Sequence, residues 1–344
     1  MNPPLQKNIK PKRIHWITKL VALLVMIALG LGIYLNNQLG PVNINDNVDR
    51  MFEVHQGTTS MQIAKNLEKE GLLKNTQAFI IYNRLTGKTN KLKAGHFLLN
   101  PTMSAQEITT KLVEGKVATI SFTIPEGYTL KQIAEVLVKK EISTDKEFWT
   151  VVKEGEFEFP FLQDLPQTDN RLEGYLFPDT YKISLGMSTK NVIKMMLKRF
   201  EAVYKQLPPN NTGLSTHEVV ILASIVEGEC LLDRERPIIA SVFFNRLKIG
   251  QRLEACATVQ YALGKRTAKV LIEDTKTESP YNTYLHEGLP PGPIGCPGEA
   301  SLKSVLEPAD TEYYYFVAKT DNSGEHVFSK TFAEHKSNKW KLGY

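Results

Sequence analysis

The stretch from Ile221 to Cys230, ILASIVEGEC, places a carboxyl group at the end of a run of apolar residues. From Val219 to Val226 only Ser224 is polar, and a helix that is apolar on all sides is typically buried. Burial and the negative end of the helix dipole both disfavour a charge on Glu227, which follows directly. A carboxyl group that stays protonated near neutral pH can act as a general acid. This position therefore suits acid–base chemistry, whereas Glu229 lies about 200° further round the helix and points elsewhere.

A second interpretation of Glu227 stays open, because a carboxylate at the end of a helix can also be solvated or paired with a cation. Ser215 and Glu218 have the spacing of a capping box, which predicts where the helix begins and accounts for Glu218 as a cap. Arg234 and Arg236 follow the helix, and either could pair with Glu227. The residues alone do not decide between a protonated acid and a paired carboxylate.

Other motifs for metal, phosphate or nucleophile chemistry are not found in the sequence. The segment HEVVI, from His217 to Ile221, lacks the second histidine of the zinc-protease pattern, and no G-x-S-x-G segment occurs. The three cysteines form no C-x-x-C pair. A net charge of +5 over 344 residues is too small to indicate nucleic-acid binding. We therefore expect neither a metal, nor a cofactor, nor a nucleic-acid partner.

The N-terminal segment has the composition of a membrane span. No residue from Leu20 to Leu35 is charged, and with Ile17 and Thr18 the run approaches the ~20 residues that a helix needs to cross a bilayer. Lysines and arginines precede the run, and Asp46 and Asp49 follow it. Because positive residues collect on the cytoplasmic side of a membrane, the charge distribution also predicts the orientation.

We therefore expect a cytoplasmic tail over 1–16 and a single transmembrane helix over 17–36 in the inner (cytoplasmic) membrane. The remainder of the chain would then be extracytoplasmic, in the periplasm. A cleaved signal peptide is the nearest alternative, although the segment YLNNQLGPVN after the run is a poor cleavage site. A buried core helix is another alternative, but it would not need a basic flank.

Two segments of the chain repeat one pattern. QGTTSMQIAKNLEKEGLL from Gln56 aligns with EGYTLKQIAEVLVKKEIS from Glu126. In each copy a short strand leads into a glycine turn, Thr59 or Thr129 caps a helix, and apolar residues recur at helical spacing. A second helix follows in both copies. The pattern of strand, helix, helix and strand resembles the LysM module, a small domain that binds glycans containing N-acetylglucosamine, and a generic α+β packing unit fits equally well.

Six motifs occur in order in the rest of the chain. They are RLEGYLFPDTY (171–181), ILASIVEGE (221–229), ERPIIASVFFNRL (235–247), ATVQYALG (257–264), SPYNTYLHEGLPPGPIGCPG (279–298), and YYYFVAK with HVFSKTFAEH (313–335). Together they closely resemble the motifs of the endolytic murein transglycosylases, the YceG-like family. The resemblance extends over nearly the whole chain.

The resemblance implies a cleavage of peptidoglycan without water. Enzymes of this family cut the β-1,4 bond between N-acetylmuramic acid and N-acetylglucosamine within a strand, and the C6 hydroxyl of the muramic residue attacks C1 to leave a 1,6-anhydro end. The catalytic glutamate of the family falls on Glu227, which would first protonate the glycosidic oxygen and then accept the C6 hydroxyl proton. An internal nucleophile removes the need for the second carboxylate of ordinary glycosidases.

The resemblance also implies partners and a place of action. The family trims nascent strands beside the peptidoglycan synthases (penicillin-binding proteins), so the expected partners are peptidoglycan glycan strands, the inner membrane and a synthase, and the cut terminates strand elongation. Two alternatives stay open. The chain could be a muramidase that hydrolyses the same bond with water, or a non-catalytic scaffold that binds peptidoglycan.

Polar and aromatic residues in the motifs are expected to line the substrate cleft. Sugar sites need amide and carboxylate partners for hydroxyl and N-acetyl groups, and aromatic faces for the rings. The residues carried over from the resemblance for substrate binding are Glu173, Tyr175, Asn245, Gln260, Tyr281, Asn282 and Tyr284. For each tyrosine, plain packing is the alternative. The segment from Gly288 to Gly298 is rich in proline and glycine, which predicts a rigid loop that forms a wall of the cleft.

The chain departs from the family at one place. Many relatives have Asp-Pro where this sequence has Cys256 and Ala257, and we interpret the family's aspartate as part of a structural turn. Cys256 and Cys296 both lie in motif loops, and we hypothesise that they lie close together and pair in an oxidising compartment. Cys230 is then the cysteine that stays unpaired. Three buried free thiols are the alternative.

These observations together predict an α+β protein. An N-terminal transmembrane helix precedes a LysM-like βααβ subdomain over 50–120 and a second LysM-like half-repeat or linker over 121–158. A mixed α+β catalytic domain of the YceG-like type follows over 159–344.

Overall fold

The structure, a computed structural model, describes residues 12–163, 165–267 and 270–344. The chain divides into two compact units. The first contains the described residues up to Ile120 together with Ser184–Gly186, and the second contains Ser121–Ile183 and Met187–Tyr344. Both units combine helices with two-stranded sheets, so the predicted mixed α+β class is confirmed.

The first unit is built round one antiparallel strand pair. Its elements are α1 (Lys12–Gln38), β1 (Arg50–Val54), α2 (Ser60–Lys69), α3 (Thr76–Leu85), β2 (Gly95–Leu99) and α4 (Ala105–Glu114). In the β1–β2 pair Phe52 lies opposite Phe97. Both rings are buried together with Ile63, Ala64 and Leu67 of α2. The apolar stripe predicted for this helix therefore forms the core of the unit.

Helix α1 contains the apolar segment expected from the sequence. Thr18–Gln38 has a mean hydropathy of 2.2 and is long enough to cross a membrane. None of this segment is buried within the protein, so it is not a core helix. A helix of this kind at the N-terminus serves either as a membrane anchor or as a signal sequence.

The two copies of the internal repeat form the same sequence of elements. After β1, α2, α3 and β2 in the first copy come β3 (Thr119–Thr123), α5 (Leu130–Lys139), α6 (Asp145–Glu154) and β4 (Thr180–Ser184), and β3 pairs with β4. The hydroxyl oxygens of Thr59 and Thr129 accept hydrogen bonds from the N–H groups of Gln62 and Gln132. Both predicted helix caps are confirmed.

The second unit continues with helices packed round one buried helix. Its further elements are α7 (Thr189–Tyr204), α8 (Thr216–Glu229), α9 (Arg236–Lys248), α10 (Cys256–Ala262), α11 (Glu299–Leu306), β5 (Tyr315–Ala318), β6 (His326–Ser329) and α12 (Phe332–Lys341). Every residue of α8 from Val219 to Val226 is buried, and α8 packs against α9, α10 and α11. The capping box of Ser215 and Glu218 is formed. The prediction of a capped, fully buried helix is confirmed.

The loop from Gly288 to Gly298 adopts neither helix nor strand, as its proline and glycine content predicts. The N–H of Ile294 donates a hydrogen bond of 3.0 Å to Oγ of Ser224, the one polar residue between Val219 and Val226 in α8. At Gly295 φ is +153°, and a Cβ there would lie 2.7 Å from the carbonyl oxygen of Gly127. The loop is therefore held against the end of α8, where Glu227 lies.

Candidate active site

Three helix ends meet at the carboxyl group of Glu227. This residue lies in the last turn of α8, Arg236 begins α9, and Gly298 and Ser301 lie at the start of α11. One oxygen, Oε1, lies 3.2 Å from Nη2 of Arg236. The other, Oε2, accepts hydrogen bonds from the N–H of Gly298 (3.0 Å) and from Oγ of Ser301 (2.8 Å). Only 8% of the Glu227 side chain is exposed.

These contacts pair the Glu227 side chain with a cation and with two hydrogen-bond donors at the N-terminal end of α11. Of the two open interpretations, the structure therefore shows the paired carboxylate. The partner is Arg236, whose Nε also donates to Asp233 (2.9 Å). Arg234, the other candidate, pairs with Glu325.

A second carboxyl group lies beside the first. Glu126 is in the turn between β3 and α5 and is exposed to solvent. A Cβ at Gly298 would lie only 1.9 Å from Oε1 of Glu126, so the Glu126 carboxyl contacts the residue whose N–H binds Glu227. Partial burial, and then the negative charge of Glu227, raise the pKa of Glu126. In the sequence, only its alignment with Gln56 in the repeat drew attention to this residue.

A cavity of about 480 Å³ opens next to this cluster. Such a volume is typical of small-ligand sites. Gly228, which directly follows Glu227, forms part of its wall. Arg266 also lines the cavity, and its Nη2 donates a hydrogen bond of 3.0 Å to the carbonyl oxygen of Gly127. The residues that line the cavity include Lys131, Gln132, Glu135, Trp149, Asn170, Glu173, Gln260, Tyr261, Arg266 and Ile294.

Glu173 is the most deeply buried acid in this cavity. Its Oε1 accepts a hydrogen bond of 2.9 Å from the N–H of Leu130, and its Oε2 accepts one of 3.1 Å from the hydroxyl of Tyr261. Only 5% of the residue is exposed. Burial raises the pKa of Glu173 from 4.5 to about 8, against the opposing effect of these hydrogen bonds. The group is therefore largely protonated at neutral pH and can donate a hydrogen bond to a ligand.

We predict that Glu173 makes the free energy of unfolding pH-dependent. Its pKa is higher in the folded chain (about 8) than its ordinary value of 4.5, so the folded chain binds this proton more tightly and stability falls as the pH rises between the two values. The loss is at most about 1.4 kcal/mol for each pH unit in that window. Glu173→Gln keeps the acceptor but cannot ionise, so its stability should not show this slope.

The measurement is chemical denaturation of both proteins, in the same detergent, at about pH 5 and about pH 8. Glu135→Gln, an exposed acid on the wall of the same cavity, is the matched control and should keep the slope of the unsubstituted chain. Parallel pH profiles for the Glu173→Gln variant and the unsubstituted chain would contradict the prediction.

Two of the other predicted substrate-binding residues lie at or beside the cavity. Gln260 lines it, and its Nε2 donates to the carbonyl oxygen of Thr267 (2.8 Å). The ring of Tyr281 packs against that of Tyr261, with 4.8 Å between the centroids. Tyr281 therefore lies behind a residue that lines the cavity.

The remaining four have contacts within the protein. Tyr175 is fully buried, and its hydroxyl is 2.8 Å from Nδ1 of His217. Asn245 donates to the carbonyl oxygens of Thr311 and Tyr313.

Asn282 and Tyr284 lie in the loop that precedes the glycine-rich segment. Nδ2 of Asn282 donates to the carbonyl oxygens of Thr275 and Thr277. The hydroxyl of Tyr284 lies 3.3 Å from Sγ of Cys256. Like Tyr175 and Asn245, these side chains brace the backbone and the core round the site.

All three cysteines lie within the described residues and are free thiols. Cys256 contacts Tyr284, whereas Cys296 is fully buried and its N–H donates to the carbonyl oxygen of Tyr128. The hypothesised bridge between Cys256 and Cys296 is not formed, and the alternative of free thiols is the one observed. Cys230 is unpaired, as predicted.

Glu229 has a role separate from that of Glu227. Its Oε1 accepts a hydrogen bond of 2.8 Å from the N–H of Ala257 at the start of α10. The different direction expected from the helical spacing is confirmed. A proline at position 257 would have no N–H for this contact, so Ala257 allows Glu229 to hold the start of α10 directly.

Comparisons with known proteins identify the family. The model of the YceG-like family matches residues 52–341. The endolytic murein transglycosylase of Bacillus subtilis is 34% identical over 330 residues, which are 91% of this chain and 90% of that protein. The endolytic murein transglycosylase of Streptococcus pneumoniae is 31% identical over 336 residues, which are 89% of this chain and 60% of that protein.

A solved structure agrees with these matches. The crystal structure of a yceG-like protein of Listeria monocytogenes is 33% identical and has a TM-score of 0.55, and the match covers 85% of this chain and 99% of that chain. The resemblance seen in the ordered motifs is confirmed, and the chain belongs to the YceG-like family.

Proposed function

We propose that this protein is a peptidoglycan lytic transglycosylase that cuts the β-1,4 bond between N-acetylmuramic acid and N-acetylglucosamine within glycan strands. The observation that carries the proposal is the Glu227 site. The residue on which the family's catalytic glutamate falls has its carboxylate fixed by Arg236, Gly298 and Ser301, and it lies next to a cavity of about 480 Å³. The names of the two curated relatives support the same reaction.

One carboxyl group can perform both proton transfers of this reaction. Glu227 gives its proton to the glycosidic oxygen as the C1–O bond to N-acetylglucosamine breaks, and the carboxylate so formed accepts the proton of the muramic C6 hydroxyl while that oxygen bonds to C1. The product has a 1,6-anhydro end, and no water enters the reaction. The hydrogen bonds from Gly298 and Ser301 fix the orientation of the carboxylate, which lowers the entropic cost of the step.

We propose that the cavity binds the strand on one side of the cut. Trp149 and Tyr261 offer aromatic faces for sugar rings, and Glu173 and Gln260 offer polar groups for hydroxyl and N-acetyl substituents. Of the seven residues carried over from the resemblance, Glu173 and Gln260 are therefore our candidates for direct contact with the substrate. The other five act through the groups that they hold in place.

We further propose that α1 is an uncleaved anchor in the inner membrane, with its N-terminus in the cytoplasm and the catalytic part, over 159–344, outside. The basic flank before the apolar helix supports this orientation. The βααβ arrangement over 50–120 supports a LysM-like glycan-binding role for that segment, and 121–158 would be its second half-repeat. A position at the membrane would place the enzyme beside the synthases whose strands it terminates.

The length of the product strands tests the proposal. Purified glycan strands are incubated with the full-length chain in detergent, and the strands are sized over time. An internal cut shortens the mean length quickly and produces fragments of intermediate length. A scaffold would bind the strands and leave their length unchanged, and that outcome would refute the proposal.

A further inference from the structure

We infer that the cavity beside Glu227 recognises glycan strands that carry peptide stems, and that Lys131, Lys265 and Arg266 bind the carboxylates of those stems. The inference rests on the function proposed above and names the form of the substrate that this site prefers. The three cations, here called the cationic rim, line the cavity and are exposed to solvent. Lys131 lies in the first turn of α5, whereas Lys265 and Arg266 follow α10, so two separate elements bring them to one cavity.

The cationic rim has no carboxylate partner within the protein. Among the residues that the structure describes, none of the three cations forms an ion pair. Two acids line the same cavity within those residues, and Glu173 is largely neutral near pH 7 because burial raises its pKa to about 8. Glu135 is then the one charged acid against three cations. A cleft with an excess of one charge concentrates ligands of the opposite charge.

The cationic rim reaches the candidate catalytic acid. A Cβ at Gly127 would lie 2.9 Å from Nη2 of Arg266 and 3.5 Å from Cγ of Glu227, so both side chains contact the same face of this glycine. Glu227 pairs with Arg236, which leaves the charge of Arg266 available to a ligand. A muramic residue whose C1 lies at Glu227 would therefore present its substituents to Arg266.

The chemistry of a peptide-bearing strand matches the distribution of charge in the cavity. Asn170, Gln260 and Tyr261 are half-buried, and with neutral Glu173 they offer polar groups without charge to the sugars. The lactyl group of N-acetylmuramic acid carries a short peptide, whose free carboxylates project away from the glycan. A strand with its sugars against the interior would present these carboxylates to the exposed rim. Ammonium and guanidinium groups bind carboxylates through charge-assisted hydrogen bonds.

The kinetics of one variant on two forms of the substrate test the inference. Uncrosslinked strands are prepared with their stems, or with the stems removed by an amidase, and the full-length chain in detergent cuts both. On stem-bearing strands, the triple variant Lys131→Gln, Lys265→Gln and Arg266→Gln should raise KM by about 10-fold, the effect expected of three exposed ion pairs. The value of kcat should stay within about 2-fold, because uniform binding is lost. On stem-free strands, KM should change by less than about 2-fold.

A second triple variant is the matched control for net charge. Lys190→Gln, Lys194→Gln and Lys198→Gln remove three exposed lysines from α7, and this variant should keep the KM of the unsubstituted chain on both substrates. A variant that exchanges lysine and arginine at the three rim positions keeps the charge, and its KM on stem-bearing strands should stay within about 3-fold. Added salt should raise the KM of the unsubstituted chain for stem-bearing strands, but not that of the neutral rim variant.

Three results would overturn the inference. They are equal rises of KM on both substrates for the neutral rim variant, no rise on stem-bearing strands, and a larger rise on stem-free strands, which would assign the cations to the lactyl carboxylate. In all three the strands are still cut, so the proposed function would stand. If the unsubstituted chain cut neither substrate, the proposed function would fail, and this inference would fail with it.

Discussion

Replacement of Glu227 by glutamine is expected to abolish strand cleavage while the fold stays intact. The amide has nearly the shape of the carboxyl group but cannot accept a proton from the C6 hydroxyl, and loss of a positioned acid–base group costs about 10²-fold to 10⁴-fold in rate. The amide oxygen can still accept the hydrogen bonds from Gly298 and Ser301. We therefore expect unchanged secondary structure by circular dichroism and no new anhydro ends.

The matched control for this variant is Glu218→Gln, on the same helix. Glu218 closes the capping box with Ser215 at the other end of α8, and glutamine is equally suited to that position. This variant should cleave strands at the rate of the unsubstituted chain. If Glu227→Gln were as active as Glu218→Gln, the acid at the end of α8 would not be catalytic.

Replacement of Arg236 by methionine is the second change with a large expected effect. It leaves the nearly enclosed carboxylate of Glu227 without a counter-charge, and breaking a buried ion pair from one side costs about 3–5 kcal/mol of stability. The rate of strand cleavage should also fall by about 10²-fold, because the carboxylate is no longer held in place. Denaturant titration and strand sizing measure the two effects.

A double variant shows whether the effect passes through the ion pair. When Glu227 is already glutamine, Arg236→Met leaves no uncompensated charge, so it should cost much less stability than it does alone. Arg234→Met is the control, because that arginine is exposed and pairs at the surface with Glu325. If the losses of stability caused by Glu227→Gln and Arg236→Met simply added up in the double variant, the two residues would not be coupled, which would contradict the prediction.

The local structure round Glu227 was predictable because it follows from periodicity and capping. The helix from Val219 to Val226 is apolar on nearly all sides, so its burial was expected, and the spacing of Ser215 and Glu218 indicated where the helix begins. The repeated QIA segments likewise predicted two capped helices with one buried stripe each. These features depend on neighbours within about one or two helical turns, which the sequence shows directly.

The partners of Glu227 were harder to predict because they come from distant parts of the chain. Ser301 follows Glu227 by 74 positions, and no periodic pattern connects the two. Glu126 belongs to the repeat, where its counterpart is the neutral Gln56, so the alignment indicated a turn and gave no reason to expect an acid beside Glu227. Glu173 and Tyr175 lie in the same motif, so the motif alone did not show that Tyr175 is in the core whereas Glu173 lines the cavity.

The most direct test of the central claim is mass spectrometry of strands cut in water enriched in oxygen-18. We predict that the full-length chain produces 1,6-anhydro ends, that these ends carry no heavy oxygen, and that Glu227→Gln produces none of them. Ends that are one water heavier and carry the label would show hydrolysis and would contradict the account.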